Sequence, residues 1–101
     1  MTNTTWQWKR FEKLSVDELF EIYRLRQQVF VIEQSCIYAD IDEIDKIAWH
    51  LFAYKVGIMC AYSRVYVPLN DTNIVSVGRV VTNPRFRGSG LGKQLMHESL
   101  K

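Results

Sequence analysis

The stretch RFRGSGLGK, residues 85–93, constrains this chain more than any other. Gly88, Gly90 and Gly92 alternate after two arginines and before a lysine, where a β-branched run gives way to a helix-like one. Basic residues at a helix start oppose the macrodipole, which favours negative charge there. No Asp or Glu occurs between Asp71 and Glu98. Helix stability alone would select the reverse pattern. An anion at the helix start explains it, held by free N–H groups, with the charge of Arg85, Arg87 and Lys93 added. Glycines admit close backbone approach and positive φ. The expected ligand is a phosphate or pyrophosphate. A ligand-free glycine-rich turn leaves the basic residues unexplained.

Two familiar phosphate loops do not fit. A Walker A loop needs glycine five places before Gly92, where Arg87 stands, and Ser or Thr after Lys93, where Gln94 stands. The dinucleotide fingerprint needs G-x-G-x-x-G, and the chain has G-x-G-x-G without a preceding βαβ unit.

The rest of the chain predicts mixed α/β structure. At 101 residues it is read as one domain, residues 1–101, and 48% hydrophobic content is enough for a modest core. TWQWKRF alternates like a strand, with Trp6, Trp8 and Arg10 on one face. Ser15 with Glu18 forms a capping box, Leu14 with Leu19 fits a hydrophobic staple, and helical spacing runs from Ser15 to about Phe30. The acidic stretch SCIYADIDEIDKIAW has little period and suits a short helix or a groove-shaping loop. Two strands follow around a turn at Lys55, Val56 and Gly57. IVSVGRVVT reads as a central strand covered on both faces, ended by Asn83 and Pro84. From about Gly88 a helix carries an apolar stripe of Leu91, Leu95, Met96 and Leu100. The predicted order is β-α-(α)-β-β-β-α.

Some classes are excluded or disfavoured. The net charge of +2 is too small to argue for nucleic acid, and the basic residues cluster in one loop rather than over a face. No apolar run is long enough to cross a bilayer, and MTNTTWQWKRFEKL lacks a signal-peptide core. A cytoplasmic location is the simplest expectation. Cys36 and Cys60 form neither a disulfide framework nor a metal-ligand spacing and read as small buried hydrophobes, so no metal is expected.

RGSGLG fits R/Q-x-x-G-x-G/A, with Arg87, Gly90 and Gly92 in the motif positions. It resembles the acetyl-CoA pyrophosphate loop of the GNAT N-acetyltransferases. VGRVVTNPRF resembles that family's fourth strand and exit, and VFVIEQ…D…D…H resembles its ElaA-like branch. The resemblance covers most of the chain. It implies a mostly antiparallel sheet and acetyl-CoA as co-substrate. Backbone amides of Arg87, Gly88, Ser89, Gly90, Leu91 and Gly92 would then cradle the pyrophosphate, with Arg85 and Lys93 as charge partners. Val80, Val81 and Thr82 would pair with the pantetheine arm, and an N–H there would polarise the thioester. A primary amine, on a small molecule or a protein terminus, would attack directly, with no acyl-enzyme.

The attack needs a base. This family's fourth strand sometimes carries a carboxylate, and here Arg79 is its only charged residue. Glu33 and His50 are the first choices, with Asp42 and Asp45 behind them. Glu33 also suits a salt bridge near a helix end, and His50 a hydrogen-bonded position at a strand start. His97 reads as a solvated or packing residue. Asp40, Asp42, Glu43 and Asp45 suit either attraction of a cationic acceptor or a solvated face. The family continues beyond the loop helix with further strands and a helix, so the chain is expected to lack the closing part or to receive it from another chain. A homodimer through an open sheet edge, and a non-catalytic module that holds coenzyme A, are the alternatives.

Overall fold

The computed structural model of the protein describes residues 4–35, 39–68 and 73–100. Cys36 lies outside them. The elements follow the predicted order: β1 (Thr5–Arg10), α1 (Val16–Arg26), a single-turn α2 (Ile44–Ile47), β2 (Trp49–Lys55), β3 (Ile58–Tyr66), β4 (Ser76–Thr82) and α3 (Leu91–Ser99). The four strands form one antiparallel sheet in the order β1-β2-β3-β4. The architecture is mixed α/β, as the sequence predicts.

Local chemistry places most elements. Ser15 accepts from the Glu18 N–H at 3.0 Å, and Glu18 accepts from the Ser15 N–H at 2.9 Å, so the capping box opens α1. Lys9 on β1 also reaches Glu18, at 2.8 Å, and ties the strand to the helix start. After Arg26 the helix continues as a π-helical segment through Glu33, three residues beyond the predicted end. Val56 and Gly57 both have positive φ, 53° and 74°, which makes the two-residue loop whose twist matches a hairpin.

The strands alternate between two cores. Phe52, Tyr62 and Val81 face α1 and pack with Ile22, Leu25 and Val29. Leu51, Ala53, Cys60 and Ala61 face α3 and pack with Leu91, Leu95, Trp6 and Trp8. Cys60 is buried, as expected. Ser99 donates to the Leu95 carbonyl at 2.8 Å, so the Ser63 hydroxyl donates to Ser99, at 2.7 Å, and joins β3 to α3.

Three expectations change. β4 is an outer strand among the described residues, not a central one, and only Val81 on it is buried. A β-branched run reports what can cover the faces of a strand and is silent about what pairs with its edges. Helix α3 starts at Leu91 rather than Gly88, because Gly88 and Gly90 take φ of 89° and 82°. Its buried face is Leu91, Leu95 and Ser99, at spacings of four, whereas Met96 and Leu100 are exposed.

Candidate functional site

The site is built where β4 ends and α3 begins. The register of β4 against β3 runs from Gly78 opposite Arg64 to Val81 opposite Tyr62. Arg79 and Val80 therefore stand together against Ser63, which is a β-bulge. Arg79 takes a φ of 50°, sparsely allowed for a non-glycine residue. Val80, Val81 and Thr82 follow, on a strand whose far edge pairs with no described strand. Its N–H and C=O groups on that side are open to an extended ligand.

The exit from β4 is held by side chains. The Asn83 N–H donates to the Cys60 carbonyl at 2.8 Å, and the Asn83 amide donates to the Met59 carbonyl at 3.1 Å. Asn83 Oδ1 accepts from the Arg85 N–H at 3.0 Å. Pro84–Phe86 make one 3-10 turn, and the Ser89 hydroxyl donates to the Phe86 carbonyl at 2.7 Å. Arg87, Gly88, Ser89 and Gly90 are exposed.

The first intrahelical bond of α3 runs from the Gln94 N–H to the Gly90 carbonyl, 3.2 Å. The amides of Leu91, Gly92 and Lys93 therefore lie ahead of the helical ladder. Gly90, the N-cap, brings no side chain to satisfy them, and the first turn contains no acid. These are the features of an anion seat.

Gly90 and Gly92 have different roles. A Cβ on Gly90 would meet nothing within 4 Å, so its cost is the positive φ alone. Gly92 lies inside the helix, and a Cβ there would sit 4.0 Å from Thr82 Cγ2, ordinary contact. Gly90→Ala is expected to lower stability by about 1 kcal/mol. Gly92→Ala is expected to raise it by about 0.5–1 kcal/mol. Urea denaturation of the two variants checks both signs.

Glu33 and Arg87 meet across the site, with Arg87 Nη1 donating to both Glu33 oxygens at 2.9 and 3.0 Å. Both side chains are substantially exposed. The π-helical end of the first helix thus reaches the glycine loop. His50 lies elsewhere. It is fully buried on β2, with Nε2 2.7 Å from the Asp45 carbonyl and Nδ1 2.6 Å from the Tyr62 hydroxyl. A carbonyl only accepts, so Nε2 carries the proton and Nδ1 of the neutral ring accepts from Tyr62. Burial holds the His50 pKa below its ordinary value. Burial likewise pushes the Tyr62 hydroxyl up.

The acidic stretch is neither a solvated face nor a lure for a cation, because Asp40, Asp42 and Asp45 face three arginines. Arg26, fully buried, contacts Asp40 Oδ2 at 2.8 Å, Asp45 Oδ1 at 2.8 Å and the Asp40 carbonyl at 2.6 Å. Arg64 contacts Asp42 at 2.7 Å and Asp45 at 3.1 Å. Arg79 contacts Asp40 at 2.9 Å and Asp42 at 3.2 Å. Of the four acidic residues there, only Glu43 is exposed, beside Lys46. Burial raises the Asp45 pKa, but Arg26 and then Arg64 outweigh it and the net shift is down. The sequence reading missed this network. Its one visible sign was Arg79, a charge inside a β-branched run.

A cleft of about 290 Å³ adjoins the loop, lined by Arg24, Gln28, Met59, Asn83 and Arg85 among others. A larger cavity of about 730 Å³ lies at the opposite end of the sheet, among Trp8, Trp49, Val65, Val67, Val75 and Leu100. It is apolar and far from the loop amides. Among the described residues, no helix is long and apolar enough to cross a membrane.

Known proteins share this fold. A UPF0039 protein of Synechocystis is 40% identical over 92 residues, covering 90% of this chain and 60% of that protein. Protein ElaA of Escherichia coli is 37% identical over 98 residues, covering 95% of this chain and 64% of ElaA. The chain therefore spans less than two thirds of either relative's length. The crystal structure of Escherichia coli ElaA superposes with a TM-score of 0.91 at 36% identity, over 97% of this chain and 68% of that one. That of an acyl-CoA N-acyltransferase from Pseudomonas aeruginosa gives 0.89 at 38%, with the same coverage. The family model described as "Acetyltransferase (GNAT) family" matches residues 4–101. By sequence and by fold, the chain belongs to the GNAT acetyltransferases.

Proposed function

We propose that the chain binds acetyl-CoA along the open edge of β4 and supports transfer of the acetyl group to a primary amine within a ternary complex. Acyl transfer from acyl-CoA to an amine is the general chemistry of its family. One observation carries the reading: a bulged strand with an open edge runs directly into a positive-φ glycine loop and an acid-free helix start. Pyrophosphate sits on the amides of residues 87–93, with Arg85 and Lys93 adding charge. The pantetheine arm lies along Val80, Val81 and Thr82.

In this reading the Val80 amide N–H donates to the thioester carbonyl oxygen, since the Val81 N–H faces β3. The amine nitrogen attacks the carbonyl carbon, and the oxyanion forms where that N–H points. Collapse breaks the C–S bond, leaves an amide, and expels the coenzyme A thiolate, which a general acid protonates. Before attack the ammonium gives up a proton. Of the two sequence-derived bases, Glu33 stands at the loop and is exposed, so we assign it that role. His50, its acceptor nitrogen engaged by Tyr62, acts at a distance by holding the Asp45 turn.

Glu33 competes with the pyrophosphate for Arg87. Glu33→Gln is expected to tighten acetyl-CoA binding by about two- to fivefold, the worth of an exposed ion pair, and to lower turnover. Calorimetric titration reads the first effect and an amine acetylation assay the second. Weaker binding in Glu33→Gln would count against the competition.

The reading as a whole is tested by thermal melts with acetyl-CoA, with ATP and without ligand. Acetyl-CoA at a hundred times its Kd is expected to add about 2.7 kcal/mol of stability, and ATP little. A midpoint that acetyl-CoA leaves unmoved would overturn it, and a ligand-independent dimer in that case would favour pairing through the β4 edge.

A further inference from the structure

We infer that Arg79, tethered by Asp40 and Asp42, is a positioning residue for the thioester carbonyl: it holds the β4 bulge in the conformation that aims the Val80 amide at the open edge. The inference rests on the acyl-CoA reading above and adds to it the device that shapes the oxyanion donor.

Three observations meet at this residue. Arg79 has a φ of 50° in mid-strand, a conformation that arginine does not favour and that must be held from outside. It sits at the bulge itself, where Arg79 and Val80 share the place opposite Ser63. Its guanidinium leaves the sheet to reach Asp40 Oδ1 at 2.9 Å, the Asp40 carbonyl at 3.0 Å and Asp42 Oδ2 at 3.2 Å. That far end is firm. Asp40 is gripped by buried Arg26, Asp42 by Arg64, and both arginines meet on Asp45.

The tether thus runs from the rigid interior beneath α1 to the one non-glycine residue of β4 with positive φ. A guanidinium suits the task because its planar fork contacts a carboxylate and a carbonyl together. If Arg79 served only to neutralise Asp40 and Asp42, its backbone would have no reason to be strained. If the strain is what the ion pairs maintain, removing them lets the bulge relax. The Val80 amide then turns away from where the carbonyl oxygen belongs.

Two substitutions separate these roles. Glycine adopts positive φ at no steric cost, so Arg79→Gly loses the tether but permits the bulge. Valine resists positive φ, so Arg79→Val loses both. The full chain and each variant are titrated with coenzyme A and with acetyl-CoA carrying a 13C-labelled carbonyl, and the infrared carbonyl stretch of the bound thioester is recorded. The wild type is expected to shift that stretch below its frequency in water. Arg79→Val is expected to lose the shift while still binding coenzyme A, the loop amides being a separate site. Arg79→Gly is expected to keep part of the shift.

A wild-type stretch in Arg79→Val, or an equal loss in Arg79→Gly and Arg79→Val, would overturn the positioning role. Should Arg79→Val fail to give a cooperative melt, Asp42→Asn decides, since it weakens the tether from a half-exposed residue. A reduced carbonyl shift in Asp42→Asn supports the role and an unchanged one overturns it. Failure of the wild type to bind either ligand would bring down the acyl-CoA reading itself, a result distinct from all the others.

Discussion

Arg26→Ala is expected to cost about 3–5 kcal/mol, the range for removing one partner of a buried ion pair. A domain of this size has about 5–15 kcal/mol in all, so the variant will be marginal or unfolded at room temperature. Arg26 has no exposed surface, and it gives three contacts of 2.6–2.8 Å to Asp40 and Asp45. Its guanidinium also lies 5.2 Å from the Tyr23 ring and 5.8 Å from the Tyr62 ring. Three arginines face three aspartates in this network, and the loss of Arg26 leaves two against three. Asp45, 1% exposed, would then have to shed its charge or take in water. Arg24, two residues earlier, pairs with Glu21 on the surface, and Arg24→Ala is expected to cost no more than about 1 kcal/mol. Urea midpoints of the two variants make the comparison. Equal and small losses would mean that the network contributes nothing net to folding.

Acidification is expected to destabilise the protein in two separate steps. The first belongs to His50, whose pKa burial holds below the ordinary 6.5. Above that value both folded and unfolded chains carry a neutral ring, and stability does not respond. Below it the unfolded chain takes up a proton that the folded chain refuses, so stability falls with pH, by at most about 1.4 kcal/mol per unit. Between pH 6.5 and 5 the loss from this ring reaches up to about 2 kcal/mol.

The second step belongs to Asp45 and Glu18. Burial alone would raise both, but Arg26 outweighs it at Asp45, and Lys9 with Ser15 outweighs it at Glu18, so both titrate below their ordinary values. A depressed carboxylate contributes stability above its unfolded pKa and loses it as pH falls through the folded one. This limb therefore begins below about pH 4. Denaturant unfolding across the pH series reads both limbs, and the 15N shifts of the His50 ring assign the first. A flat stability between pH 7 and 5 would mean that the ring titrates alike in the folded and unfolded chains, and a stability that rises on acidification would mean a folded ring already protonated, with Nδ1 donating to Tyr62.

The elements legible in the sequence were those written in neighbouring residues. Ser15 and Glu18 lie three apart and close their capping box without help from elsewhere. Val56 and Gly57 make the hairpin between them, and the period of two in β2 sorts Leu51 and Ala53 from Phe52 onto opposite cores. The loop between β4 and α3 was legible for the same reason: glycine spacing, basic charge and missing acids all fall within nine residues, 85–93.

What escaped the sequence depends on distant partners. The acidic stretch looked solvated because charge alone does not reveal a guanidinium 14, 19, 22, 37 or 39 residues away in sequence, and those are the separations at which Arg26, Arg64 and Arg79 meet it. The bulge at Arg79 arises from register against β3, which no property of β4 by itself specifies. His50 was legible as a titratable group, but which atoms hold its two nitrogens was settled by Tyr62 and Asp45 as the sheet and the α2 turn closed over it. The sequence by itself determined the order of the elements and the glycine loop that ends β4, since propensity, capping and backbone freedom act over a few residues. Only the tertiary structure decided that β4 is an outer strand, that three aspartates are neutralised, and that Glu33 stands at the loop while His50 lies in the core, since pairing and burial are settled where distant segments meet.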